Sequence, residues 1–259
     1  MFVTIINDCR DQNALGRQAS RVASLFNCSV IPIGVENDLE AAGTLVDTLD
    51  ASEGAKGIVL VNVAPRTDQA KKRENGSPFG YFHWGETLVI SSIDGATLSL
   101  VEKLGITHSV RLLDIPSILA PLVEKGIISQ ELESRICTTQ FRSFEFLPRV
   151  ARLLYQGQEF PTVVHALEDE QSPTLAWLID SFGNVKTTLL SCDAKFTKGE
   201  RVTTNVGELV FYPYFKDVTD ENPALVIGSS GIGDKRFCEI VIKGKSASRE
   251  LGLEVGSVI

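Results

Sequence analysis

The run Gly57-Ile58-Val59-Leu60-Val61-Asn62-Val63 restricts the fold more than any other stretch of this chain. A strand with one wet face alternates apolar and polar residues, and this one is almost continuously apolar. It therefore belongs inside a parallel sheet with both faces covered by helices. The surrounding sequence agrees. Val3 to Ile6 reads as a buried strand, Ala14, Leu15, Ala19, Val22, Ala23 and Phe26 recur at helical spacing, and Ser29 to Ile33 returns as a second strand. Leu39 to Leu49 repeats the helical pattern. Beyond the central run, Leu88 to Ser91 and Val110 to Leu113 read as strands, Leu98 to Leu104 as a short helix, and Leu147 to Tyr155 as a helix that stops before Gly157.

From about Gln158 the pattern changes to short β-prone runs separated by Gly, Pro, Asn and Asp, at 162–167, 174–179, 185–190, 208–212, 224–227 and 237–242. The expected organisation is an α/β N-terminal domain over 1–157, with a largely parallel sheet and flanking helices. A smaller all-β, barrel-like C-terminal domain over 158–259 follows it and closes on the short helix Ser246 to Leu251.

Charge narrows the partners. With 33 acidic residues against 25 lysines and arginines, the net charge of −8 argues against a nucleic-acid surface and gives no polybasic patch for membranes. A small-molecule partner fits better. The five cysteines, Cys9, Cys28, Cys137, Cys192 and Cys238, are scattered without a C-x-x-C pair, so they read as reduced thiols rather than a disulfide framework or a metal site. Met1-Phe2-Val3-Thr4 runs straight into a strand, so neither a leader nor a membrane span is expected, and the cytoplasm is the expected compartment.

Ligands of open α/β sheets sit outside the carboxyl ends of the strands, which points to Asp8, to the loop after Val63 and to Asp94. Each has a plainer reading: Asp8 as the cap of the next helix, Asp94-Gly95 as a turn pair, and the charged loop from Ala64 to about Gly80 as a solvated excursion rather than a lid. In the second half, Ile179 to Thr188 sets Asp180, Phe182 and Asn184 around Gly183 between two β-prone runs. A tight turn there displays a stacking face, an amide and an acid, the parts of a planar-base site. Its plainer reading is a hairpin whose Phe182 packs on the core. His83, His108 and His165 stand alone without ligand spacing and read as structural.

Two blocks of the second half resemble the S-adenosyl-L-methionine (SAM) hydrolases, or SAM hydroxide adenosyltransferases, a family that includes the fluorinating and chlorinating enzymes. Asp180-Ser181-Phe182-Gly183-Asn184-Val185-Lys186-Thr187 is similar to the family's D-x-F-G-N-x-x-T-N turn. Gly228-Ser229-Ser230-Gly231, together with Glu239 to Ala247, is similar to its N-S-x-G, E-I-a-V and G-x-A run, with Ile232 to Arg236 inserted between the two parts. Earlier segments match more loosely. Asn7-Asp8-Cys9 stands where the family has T-D-F or S-D-L, Asp94-Gly95-Ala96 aligns with P-D-N-G or P-N-N-G, and Phe146-Leu147-Pro148 through Leu154 resembles F-A-P-A-A-A-R-L.

The resemblance implies a site for SAM, adenosine or a related nucleoside, with SAM as substrate or ligand and no separate cofactor. Asp8 would accept from the ribose hydroxyls and Asp94 would stand in the aligned turn. Phe182 would stack on adenine, Asn184 would hydrogen-bond it, and Asp180 would pair with the methionine ammonium. Ser229, Ser230 and the backbone near Ala247 would complete the adenine pocket. It also implies a homotrimer whose sites are shared between neighbouring subunits.

The reaction residues depart from the pattern. The family's V-D-P-G-V-G acid position falls on Ala64, its arginine on Lys72 or Arg73 in an altered loop, and its T-F-H-G-R-D histidine on Phe141 or Arg142. Asp68 is an acid near the lost position, so Asp68 and Arg73 are the candidates for a re-recruited catalytic pair. The expectation is a SAM or adenosine binder that resembles an enzyme releasing adenosine and methionine from SAM. The alternatives are a purely binding protein and adenosyl transfer to another nucleophile.

Overall fold

Strand β3 (Gly57–Asn62) lies between β1 (Phe2–Asn7) and β5 (Thr87–Ser92), parallel to both, where a strand apolar on both faces belongs. These elements come from a computed structural model that describes residues 1–64, 77–168, 173–219 and 221–259. The chain divides into two compact units, Met1–Glu168 and Asp169–Ile259.

In the first unit, seven strands are ordered β2-β1-β3-β5-β4-β6-β7, with β2 (Val30–Gly34), β4 (Phe79–Trp84), β6 (Ser109–Leu113) and β7 (Val163–Ala166) completing the set. The β2, β1, β3 and β5 half is parallel, and β4, β6 and β7 join antiparallel. Alternate residues feed two layers. Val3, Ile5, Ile58, Leu60, Leu88 and Ile90 pack with Val22 of α1 (Gln12–Phe26), Ile118 of α4 (Ile115–Glu124), Ile136 of α5 (Gln130–Thr138) and Val150 of α7 (Leu147–Tyr155). On the other face α2 (Asp38–Ser52) packs on β1 and β3 and against α3 (Ser99–Lys103), and Val59, Val61 and Val89 are fully buried.

Three corrections concern this unit. The strand read at 162–167 as the opening of the β-rich domain is β7. It pairs with β6, from Ser109 opposite Ala166 to Leu112 opposite Val163, so it extends the first sheet and the boundary lies nearer 168 than 157. The sequence pattern does not reveal β4, because Phe79-Gly80-Tyr81-Phe82-His83-Trp84 follows a charged loop and carries only a weak alternation. Nor does it reveal α4 and α5, which are capped by Asp114 and Ser129, whose side chains accept from the amides of Ser117 and Leu132.

The second unit holds six strands ordered β10-β11-β12-β13-β9-β8. They are β8 (Ala176–Ile179), β9 (Val185–Leu190), β10 (Arg201–Thr204), β11 (Gly207–Tyr212), β12 (Ala224–Ile232) and β13 (Lys235–Val241). Only the β11–β12 pair is parallel. The sheet is open rather than a closed barrel, with β10 and β8 at its ends. Ala176, Val185, Leu209, Phe211, Leu225 and Ile240 form its core with Ala247 of α9 (Ala247–Leu251), the helix that follows the short α8 (Ser191–Ala194) in the chain. The C-terminal tail returns to β8: the Ala176 amide donates to Ser257 and the Ile259 amide to Thr174.

Candidate functional site

The first unit reverses strand order at β1, since the chain goes from β1 outward to β2 and then back across to β3. The crevice beyond the carboxyl ends of β1 and β3 is the place such sheets offer a ligand. Asp8 and Ala64 both leave the sheet there, and the Ala64 amide donates to Asp8 Oδ2 at 3.2 Å. Asp8 does not cap α1. Asp11 does, accepting from the Ala14 amide at 2.9 Å. Asn7, fully buried at the end of β1, accepts through Oδ1 from the Cys9 amide and from Asn62 Nδ2, both at 3.1 Å. Its Nδ2 has no hydrogen-bond partner among the described residues, so a buried donor sits beside the carboxylate at the crevice. Sequence reasoning quoted Asn7 only as a neighbour of Asp8. Its position at the strand end was the available signal.

Asp94 follows β5 in the expected turn, with Gly95 at φ 67° and the Asp94 carbonyl accepting from Thr97 Oγ1. Asp38, at the start of α2, accepts from the Ala96 amide at 2.7 Å and fixes that turn. Burial lowers the Arg142 guanidinium from its ordinary pKa, and the charge of Asp94 opposes that shift. Arg142 opens α6 (Arg142–Glu145) and its Cζ lies 5.4 Å from the Phe79 ring centroid. Arg142 is thus a charged group beside Asp94 that the sequence had offered only as an alternative for the family histidine. Phe141, the other alternative, stacks on Phe144 with centroids 5.5 Å apart and carries the Arg17 guanidinium. It supplies no acid or base. Asp68, Lys72 and Arg73 lie outside the described residues.

In the second unit the turn after β8 is built by Asp180. Its Oδ1 accepts from the amides of Phe182 and Asn184 at 2.8 and 2.9 Å, and its Oδ2 accepts from Asn184 Nδ2 at 2.9 Å. Gly183 takes φ 84°, and a Cβ there would lie 2.0 Å from Ser246 Oγ. The Ser248 amide donates to the Gly183 carbonyl at 2.9 Å. Residues distant in sequence thereby meet, since the 180–184 turn rests on the start of α9 that carries Ala247. Phe182 does not pack on the core; it is 80% exposed at the turn tip, which overturns the plainer reading. Asp180 serves its own turn, so its first role is to hold Phe182 and Asn184 in place.

Ser230 is buried on β12 and receives Lys186 Nζ on its Oγ at 2.5 Å. Lys186 also lies 3.9 Å from Glu239 Oε1 and 5.4 Å from the Trp177 ring centroid. Gly228 makes room for Glu239, since a Cβ there would stand 2.4 Å from Oε1. Ser229 is exposed, and its carbonyl accepts from Arg236 Nη1, which also reaches the Gly231 carbonyl, both at 2.9 Å. Arg236 comes from the segment read as an insertion, and it pins the β12–β13 hairpin that presents the serines.

The second unit coincides with a known domain: residues 176–259 match the family described as SAM hydroxide adenosyltransferase C-terminal domain. Over those residues the chain is similar to that family. The whole chain is similar in fold to an uncharacterized conserved protein from Thermotoga maritima, with 16% identity, a TM-score of 0.67, and 98% of this chain and 97% of that one covered. It is also similar to a conserved hypothetical protein from Thermus thermophilus, at 18% identity and TM-score 0.58, with 98% and 96% covered. No curated protein matches the chain at a significant level. Of the expected ligand residues, the second unit holds Asp180, Phe182, Asn184, Ser229, Ser230 and Ala247, and the first holds Asp8 and Asp94.

Among the described residues no helix is long and apolar enough to cross a membrane. His83 lies on β4, where burial lowers its pKa from the ordinary value. His108 is exposed with Nδ1 3.0 Å from Glu102 Oε1, and His165 lies on β7.

Proposed function

We propose that the protein binds SAM, adenosine or a related nucleoside and turns SAM over slowly or not at all. The observation that carries this reading is the exposed Phe182 ring, held at the tip of a turn whose geometry Asp180 and Gly183 fix, inside the domain that matches the SAM hydroxide adenosyltransferase family. A ring held exposed at a fixed turn tip offers a face on which a planar base can stack. Asn184 beside it offers an amide, Ser229 lies on the other motif, and Asp8 with the orphan donor of Asn7 supplies the polar groups a ribose needs.

Hydrolysis needs a group that positions water in line with the sulfonium carbon. A general base commonly contributes roughly 10²- to 10⁴-fold. At the two described positions that match the family's reaction residues, Ala64 offers a backbone amide already donated to Asp8, and Phe141 an aromatic ring engaged with Arg17 and Phe144. Binding therefore outlasts catalysis in this reading. Asp68 and Arg73 are the residues through which hydrolysis, or adenosyl transfer to another nucleophile, would be restored. We further place the protein in the cytoplasm as a homotrimer, with each ligand held by Asp8 and Asp94 of one subunit and the Phe182 turn of its neighbour.

Calorimetry with SAM and with adenosine tests the reading. Phe182→Ala should weaken binding by about one to two decades, since stacking on an aromatic side chain is worth roughly 1 to 3 kcal/mol. Absence of binding to the wild-type protein at millimolar ligand would end the ligand assignment. In a parallel incubation with SAM, rapid adenosine release that disappears in Asp68→Asn would reinstate an enzyme.

A further inference from the structure

Away from these residues, the first unit carries an open groove of about 560 Å³ along the outer face of α1, lined by Gln12, Asn13, Arg17, Ser20, Arg21 and Phe144 among others. The helix reads Gln-Asn-Ala-Leu-Gly-Arg-Gln-Ala-Ser-Arg-Val-Ala-Ser-Leu-Phe, so its charged residues are Arg17 and Arg21 alone, one turn apart on one face. Like charges at that spacing repel and weaken a helix.

Their surroundings add to the excess. Arg17 lies over the rings of Phe141 and Phe144 at 5.1 and 4.9 Å, and no carboxylate pairs with it among the described residues. Arg21 lies 4.1 Å over Phe144 and 3.4 Å from Glu145 Oε2. The same Glu145 oxygen also serves Arg149 at 2.8 Å and Arg135 at 3.7 Å. Arg21, Arg135 and Arg149 thus share a single carboxylate, with Arg17 one turn from Arg21, in a protein whose net charge is −8. Burial and then repulsion from Arg21 lower the Arg149 guanidinium from its ordinary pKa, with Glu145 opposing.

We propose that this groove is a binding site for a small phosphoryl-bearing anion, held by Arg17 and Arg21. Packing over phenylalanine holds each guanidinium and leaves the N–H groups of Arg17, with those of Arg21 not turned to Glu145, for a ligand, donors that match phosphate oxygens. Gln12 and Asn13 supply amide donors at the first turn of α1, and Ser20 supplies a hydroxyl. The site lies wholly in the first unit and does not depend on the nucleoside reading.

The test is titration of the full chain with inorganic pyrophosphate at low ionic strength, with citrate as the carboxylate control. Pyrophosphate should bind at about 10 mM or below and citrate more weakly. Arg17→Ala should weaken pyrophosphate binding by roughly tenfold or more, the loss of one charged donor set. Gly16→Glu is the second variant: a Cβ at Gly16 meets nothing within 4 Å, so the fold tolerates it while an acid enters the groove. It should abolish binding. Phe182→Ala should leave pyrophosphate binding unchanged. The proposal is overturned if pyrophosphate does not bind the wild-type chain, if citrate binds as well, or if neither groove variant weakens binding. It is equally overturned if Gly16→Glu changes the oligomeric state by light scattering, which marks the groove as an interface between copies.

Discussion

Gly183 leaves no space for a methyl group. Its φ of 84° is one that other residues resist, and Ser246 Oγ, Cβ and Cα would all lie within 3 Å of an added Cβ. Gly183→Ala should therefore destabilise the protein by about 2 to 4 kcal/mol, overpacking added to backbone strain. Urea unfolding measures this, and a loss below about 0.5 kcal/mol would show that the two blocks do not meet as described. Ser246→Gly in the same chain should recover only part, since it removes the steric contact and leaves the strained backbone angle. Asp180 illustrates a different point about single residues. Its sequence context supports a cation-binding acid, yet its two oxygens accept three hydrogen bonds from its own turn. A residue type states what a side chain can bind; only its neighbours decide what it does bind.

Between elements, the seam of β9, β13 and β12 carries Lys186, Glu239 and Ser230 on adjacent strands, joined by the register Glu239 opposite Lys186 and Val226 opposite Glu239. The Lys186 and Glu239 side chains are 14% and 13% exposed, so the pair is largely out of water. Removing one member of a buried pair leaves a charge behind. Lys186→Met should cost about 3 kcal/mol, and the double variant Lys186→Met with Glu239→Gln should recover most of it. Thermal or urea unfolding of the four chains gives the cycle, and additive losses in the double variant would show that the two side chains do not interact. Glu239 lies in the E-I-V-I block and Lys186 in the D-S-F-G-N-V-K block, so their contact also ties the two family-like segments through the sheet itself.

For the whole molecule, the proposed shared site couples assembly to binding. Light scattering or analytical ultracentrifugation across concentration, run beside the nucleoside assay, should find a trimer and a loss of binding on dilution to monomer. A head-to-tail ring with closed symmetry has this property because each interface contributes to one site. A stable monomer that binds with full affinity would sink the shared-site idea while leaving the Phe182 prediction standing.

The sequence by itself determined the class of the first unit, because consecutive apolar residues at 57–63 tolerate no exposed face, and it set Asp8 and Asp94 just beyond strand ends, where the apolar runs stop. It also determined the 180–184 turn, since Gly183 and Asp180 are local requirements expressed within five residues. The tertiary structure alone decided that Val163–Ala166 extends the first sheet, that the second sheet stays open, and that Ser246 closes on Gly183. It alone brought Arg17 and Arg21 over Phe144. Strand pairing and contacts between helices far apart in the chain depend on which surfaces meet after collapse. Periodicity assigns a residue to a face, and the identity of the face opposite is fixed only by packing.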